Sequence, residues 1–190
     1  MQIIDTEISE VKILEPKVFG DARGYFLESW NLNKYSEIGI SCNWVQDNES
    51  KSRFGVLRGL HFQTAPYTQA KLVRVIEGTV LDVVLDIRKN SPTFGKHIAV
   101  ELSGENKRQL FVPRGFAHGF VTLSESVIFA YKCDNFYMPS HERGIAFNDP
   151  ALGIDWKINP EEYILSEKDT RNPVLAEAEV FDLNNPEYLQ

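Results

Sequence analysis

The sequence has little of what disulfide frameworks and metal sites are built from. Its 190 residues contain two cysteines, Cys42 and Cys133, and four histidines. No CxxC or Cys/His cluster surrounds either thiol, so a stapled or zinc-bound fold is not expected, and a reduced, cytoplasmic compartment is. No stretch of about 18 apolar residues occurs, so no transmembrane helix is predicted. The opening Met1–Leu14 segment is acidic and lacks an apolar run, unlike a signal peptide. A basic excess is also missing. The net charge is −7, which speaks against nucleic acid as a partner but leaves room for a small anion held by two or three cations. Internal repeats, low-complexity tracts and linkers are absent. At 43% hydrophobic, the chain suits one domain over residues 1–190 with a core of its own.

What is present is strand periodicity. In Thr79–Ile87, Leu81, Val83, Leu85 and Ile87 share one face, while Asp82, Val84 and Asp86 share the other. Strict alternation over β-branched residues is the pattern of a strand with one strongly apolar face. Similar runs occur at Val11–Phe19, Tyr25–Trp30, Val56–Gln63, Lys71–Glu77, His97–Ser103, Gln109–Val112, Gly119–Leu123 and Val127–Cys133. Gln46 and Asn48 share a face of one more. Turn residues separate them, among them Glu77-Gly78, Asn90-Ser91-Pro92 and Pro113-Arg114-Gly115. Many short, evenly spaced strands predict a sandwich or barrel. One short helix is expected over Asn31–Ile38, with Asn31 or Asn33 as its cap and Gly39 as its stop. From about Asp149 onward, prolines and acids predict an irregular C-terminal arm lying on the barrel.

Two of the four histidines sit in glycine-punctuated settings. His61 lies in Gly55-Val-Leu-Arg-Gly-Leu-His61-Phe-Gln63, and His118 in Pro113-Arg-Gly115-Phe-Ala-His118. Both segments resemble the two motifs of cupins, which implies a mainly β, cupin-like jelly-roll barrel. The metal ligands of that pattern are mostly replaced. Gln63 stands in place of the second histidine, and Lys71, seven residues before Gly78, in place of the glutamate. Glutamine is a poor ligand for first-row metals, and an ammonium group cannot coordinate one. The expectation is a barrel mouth that uses Lys71 instead of a metal, with no cofactor. His97 and His141 lack such settings and read as packed or solvated residues.

The chemistry open to such a site is proton transfer. A histidine titrates near pH 6.5 and can serve as a base at His61. The phenol of Tyr131 can act as an acid, and Lys71 can stabilise an enolate oxygen. An acid and a base on opposite faces of a carbon beside a carbonyl are what an epimerase requires. Arg23, Arg58 and Lys168 are anion-binding candidates, and Gln46 and Asn48 could hold a base or hydroxyl. Strict alternation places Arg58 and His61 on opposite faces. Both can serve one site only if Gly59 bends the strand or a second subunit contributes.

Beyond these segments, Lys71-Leu-Val-Arg-Val, Asp86-Ile-Arg-Lys-Asn-Ser-Pro-Thr-Phe-Gly95, Asn148-Asp-Pro-Ala-Leu-Gly-Ile-Asp-Trp156 and Leu165-Ser-Glu-Lys-Asp169 follow in order. Together they resemble the dTDP-4-dehydrorhamnose 3,5-epimerase family from about Gly20 to Asp169. The resemblance implies His61 as base oriented by Asp169, Tyr131 as acid and Lys71 as enolate stabiliser. It implies substrate contacts at Arg23, Phe26, Glu28, Gln46, Asp47, Asn48, Arg58, His118, Glu142 and Lys168. It further implies a dTDP-sugar substrate and a homodimer with exchanged N-terminal strands. Ala70 and Cys133 depart from the family pattern, where glycine and threonine are usual. A mono-epimerase or ketoisomerase on the same scaffold, a catalytically silent sugar-nucleotide binder and a metal-dependent cupin are the alternatives.

Overall fold

A computed structural model describes residues 1–189. In chain order the strands are β1 (Gln2–Asp5), β2 (Lys12–Glu15), β3 (Val18–Asp21) and β4 (Gly24–Leu27), followed by helix α1 (Leu32–Ser36). Then come β5 (Gln46–Arg53), β6 (Leu57–Gln63), β7 (Lys71–Glu77), β8 (Thr79–Asp86), β9 (Arg88–Lys89), β10 (His97–Ser103) and β11 (Gln109–Val112). The last are β12 (Phe116–Thr122), β13 (Ser126–Cys133), β14 (Glu142–Gly144) and β15 (Phe181–Asp182). Two antiparallel sheets dominate, in the orders β1-β2-β11-β7-β13-β5 and β10-β8-β12-β6-β14. The fold is mainly β and cupin-like, as expected. No helix among the described residues is long and apolar enough to cross a membrane.

Alternation sorts side chains into three apolar layers. Val73, Val75, Val80, Val84, Leu110, Phe120, Val127 and Phe129 fill the space between the sheets. Their sequence neighbours Leu81, Val83, Leu85, Ala117 and Val121 point the other way, onto the C-terminal arm through Leu152, Trp156 and Leu175. The outer face of the larger sheet, with Leu14, Leu72 and Phe111, is covered by Tyr35, Ile40 and Trp44. β8 is therefore buried on both faces. The acids on its inner face are both fully enclosed and both paired. Asp86 accepts hydrogen bonds from Arg88 at 2.7 and 2.9 Å, Ser91 at 2.7 Å and Thr93 at 2.6 Å.

Several elements differ from the sequence expectation for physical reasons. The run Val11–Phe19 splits into β2 and β3 at Pro16, which has no N–H to give a ladder. The expected strand Tyr25–Trp30 ends at Leu27; beyond it the Ser29 carbonyl accepts from the Tyr35 hydroxyl and the Gln109 amide rather than from a strand. Asn31 caps that helix by accepting from Lys34 N, and Gly39 follows at φ +84°. The C-terminal arm is a chain of single 3-10 turns at Pro160–Glu162, Asp169–Arg171 and Leu175–Glu177.

Candidate active site

One end of the space between the sheets opens into a cleft of about 530 Å³, within the range of small-ligand sites. Its floor is apolar, with Phe120 and Phe129. Toward the mouth the same strand faces carry Gln46 and Asn48 of β5, Lys71 of β7, His118 of β12 and Tyr131 of β13. Along β7 and β13 the inward face changes from apolar, at Val73 and Val75 and at Val127 and Phe129, to polar, at Lys71 and Tyr131.

β6 needs one extra device. His61 pairs with His118, but Arg58 pairs with Phe120, so three residue steps on β6 face two on β12. This bulge is centred on Gly59 at φ +134°, where a Cβ would meet the backbone of Gly119. One additional residue inverts the alternation. Arg58, His61 and Gln63 therefore share the cleft face, while Leu57, Leu60 and Phe62 share the outer layer. The apparent conflict between Arg58 and His61 is resolved within one chain.

His61 is held from the arm. Its Nε2 lies 2.5 Å from Asp169 Oδ1, and Ser166 Oγ donates to Asp169 Oδ2 at 2.7 Å. Burial pushes the Asp169 carboxyl pKa up, but the hydrogen bonds from His61 and Ser166 outweigh it and hold the group below its ordinary value. An ionised carboxylate only accepts, so Nε2 carries a proton, and in the neutral ring the lone pair is on Nδ1. Burial raises the Tyr131 pKa, which favours the neutral phenol, and lowers the Lys71 pKa. Among the described residues Arg58 and Lys71 form no ion pair, leaving their charge for an anion. Lys168 instead pairs with Glu142 at 2.7 Å, and Tyr137 Oη donates to the same carboxylate at 3.0 Å.

Other expected contacts stand elsewhere in this chain. Arg23 sits at the exposed β3–β4 turn, paired with Asp21 at 2.6 Å. Phe26 is 68% exposed on the same hairpin. Glu28 binds Lys34 at 2.6 Å. Asp47 lies on the outer face of β5, opposite Gln46 and Asn48, and pairs with Lys132 at 2.9 Å. None of these four lines the cleft.

Three residues not expected as catalytic or substrate contacts support the site: Gln63 and Ser166 line the cleft, and Asp82 stands behind His118. Asp82 is fully buried and binds His118 Nε2 through both oxygens at 2.9 and 3.0 Å. Its signal was an acid, one of two with Asp86, on one face of an otherwise apolar strand. Ser166 buttresses Asp169, and nothing in its setting marks it. Gln63 has a use of its own. It donates to the carbonyls of Tyr67 at 2.6 Å and Phe136 at 3.1 Å, and accepts from Met138 N at 2.6 Å. With its amide committed to two loops and an ammonium at residue 71, the residues at these positions do not fit a first-row metal. Among the described residues no group of three His, Cys, Asp or Glu side chains could hold one.

Taken together, a carboxylate-backed imidazole, a neutral phenol and a half-buried lysine surround one cleft of a small antiparallel barrel, an arrangement able to move protons at a carbon acid. The sequence profile of dTDP-4-dehydrorhamnose 3,5-epimerase matches residues 5–177. The chain is 56% identical over 181 residues to the dTDP-4-dehydrorhamnose 3,5-epimerase of Salmonella typhimurium, covering 94% of this chain and 97% of that one. It is 53% identical over 183 residues to the enzyme of Shigella flexneri, covering 95% and 99%. A dTDP-6-deoxy-D-glucose-3,5-epimerase from Legionella pneumophila, solved with dTDP-4-keto-L-rhamnose, superposes with a TM-score of 0.92 at 50% identity, covering 95% of this chain and 97% of that one. The chain belongs to the dTDP-4-dehydrorhamnose 3,5-epimerase family.

Proposed function

We infer that this chain inverts C3 and C5 of dTDP-4-dehydro-6-deoxy-D-glucose to give dTDP-4-dehydro-L-rhamnose. The observation that carries the reading is the 2.5 Å contact between His61 and Asp169 on the cleft that Tyr131 and Lys71 share. The C4 carbonyl acidifies the C–H bonds at both neighbouring carbons. His61 removes the C5 proton, the C–H electrons form the C4–C5 double bond, and the carbonyl electrons move onto oxygen. Lys71 aims its charge at that developing oxyanion. Tyr131 returns a proton to the opposite face as the C4 carbonyl re-forms; the imidazolium then gives its proton to solvent, the phenolate regains one from it, and the cycle repeats at C3. Asp169 stabilises the imidazolium as it forms.

Arg58 and Lys168 suit the diphosphate, Gln46 and Asn48 the base or sugar hydroxyls, and His118 and Glu142 the hexose. The diphosphate provides remote binding that seats the ring. Arg23, Phe26 and Glu28 fit a homodimer in which each N-terminal hairpin serves the partner's cleft. The exposed Phe19, Tyr25 and Phe26 support this, since solvated aromatics clustered on one hairpin mark a contact surface. Free thiols at Cys42 and Cys133 agree with a cytoplasmic enzyme. The test is turnover in D2O, followed by NMR at C3 and C5. Label at both carbons is expected. Label at one carbon would make the chain a mono-epimerase, and label at neither, with folded protein, would overturn the assignment.

A further inference from the structure

Asp169 reaches His61 from a separate arm, and something must set how deeply that arm docks. Strand β14 lies beside β6, with Gly144 directly opposite His61. Paired positions on adjacent strands point to the same face, so a side chain at residue 144 would project where His61 projects. That space is taken by the amide of Asn172. A Cβ built on Gly144 would overlap Cγ, Oδ1 and Nδ2 of Asn172 together.

Asn172 follows the 3-10 turn Asp169–Arg171, three residues after Asp169. Positions three apart on such a turn stand above one another on one face. At about 2 Å of rise per residue they are about 6 Å apart, close to the spacing of about 4.8 Å between neighbouring strands. The turn thus lies across two strands, with Asp169 on His61 of β6 and Asn172 in the notch at Gly144 of β14. Backbone bonds fix the arm on either side, from Ala146 N to Pro173 O at 2.8 Å and from Leu57 N to Ile164 O at 3.0 Å.

Asn172 Nδ2 is buried and has no partner among the described residues. A buried donor left unpaired calls for a reason, and here the reason is shape. We propose that Gly144 and Asn172 form a docking notch that positions Asp169 against His61, so that the missing side chain on β14 sets the geometry of the dyad. Neither residue touches the reacting carbon; both act through Asp169. The inference rests on the epimerase reading above.

The experiment compares Gly144→Ala, Asn172→Ala, their double variant and Asp169→Asn by deuterium wash-in, with melting curves as a control for folding. Gly144→Ala is expected to lower kcat about a hundredfold, the scale of an ångström of misplacement, with KM little changed. Asn172→Ala empties the notch, so the double variant should recover most of the loss. In the Asp169→Asn background, Gly144→Ala should cost nothing further, because residues acting through one contact are not additive. A folded Gly144→Ala protein with unchanged kcat would overturn the inference. So would a loss that persists in the double variant or adds in full to Asp169→Asn. If Gly144→Ala does not fold, Asn172→Phe overfills the notch from the arm side and must give the same fall in kcat. Absence of wash-in by the unaltered protein would defeat the functional reading instead, which keeps the two failures distinct.

Discussion

Two histidine–aspartate pairs stand side by side in this barrel, on residues that are cross-strand partners, and they are built differently. His118 and Asp82 come from adjacent strands of one sheet. Both are buried, and the carboxylate sits on one ring nitrogen at 2.9 and 3.0 Å. His61 comes from the sheet, but Asp169 comes from the arm, 108 residues away in the chain. Its contact is shorter, at 2.5 Å, and the imidazole is 22% exposed to the cleft. A pair held within a ladder is fixed by the fold, and loss of one member leaves the other buried without its partner. A pair made across two elements can be placed at an opening, where its base reaches a ligand, but its geometry then depends on how the arm docks.

The difference predicts a separation between rate and stability. His61→Asn should lower wash-in about 10⁴-fold, the upper range for a general base, with the melting temperature little changed. Lys71→Met should cost about 10²- to 10³-fold in kcat, as for loss of one group aimed at an oxyanion. Lys71 also sets a pH limb. Burial holds its pKa below the ordinary lysine value, so the ammonium is present below that lowered pKa and lost as pH rises through it. Tyr131 is shifted the other way by the same burial and stays protonated. The kcat/KM profile should therefore fall on the alkaline side before the ordinary lysine range, and Lys71→Arg should carry the limb to higher pH. An unmoved limb in Lys71→Arg would assign it to another group.

Asp82 should show the opposite signature. Asp82→Leu leaves the buried His118 ring without its partner and is expected to cost about 3 kcal/mol. That corresponds to about 6–12 °C in melting temperature for a chain of this size. Equal melting of the variant and the parent would show that the inner pair is not a stabilising element, and the contrast between the two pairs would fail.

How far each pair was legible follows from the same construction. The strands read well where one face is apolar. Lys71–Glu77, His97–Ser103 and Gln109–Val112 stand where alternation put them. β5 reads poorly, since Gln46–Arg53 is polar on both faces, one lining the cleft and the other solvated. Asp82 was visible as an acid in an apolar strand, but only the structure joins it to His118. Arg58 was visible as a parity conflict, and the bulge at Gly59 that settles it has no signature beyond a glycine. Asp169 had no local signal at all, because a contact across 108 residues between a strand and an irregular arm leaves no period to read. Family resemblance alone pointed to it.

The smallest expected effect tests whether the cleft mouth is independent of both pairs. Gln63 is 4% exposed and ties the loop at Tyr67 to the loop at Phe136 and Met138. The second loop carries Tyr137, whose backbone N donates to Gln46 and whose hydroxyl donates to Glu142. Gln63→Glu keeps the shape and the acceptor for Met138 N. It removes both donations and sets a carboxylate against two carbonyl oxygens. The expected stability cost is about 1–3 kcal/mol. Because the wall at Tyr137 and Glu142 loosens while His61 and Asp169 stay in contact, KM should rise with kcat nearly constant. A fall in kcat with unchanged KM would mean that Gln63 supports the dyad itself, and the mouth and the proton-transfer pair would then be one mechanical unit.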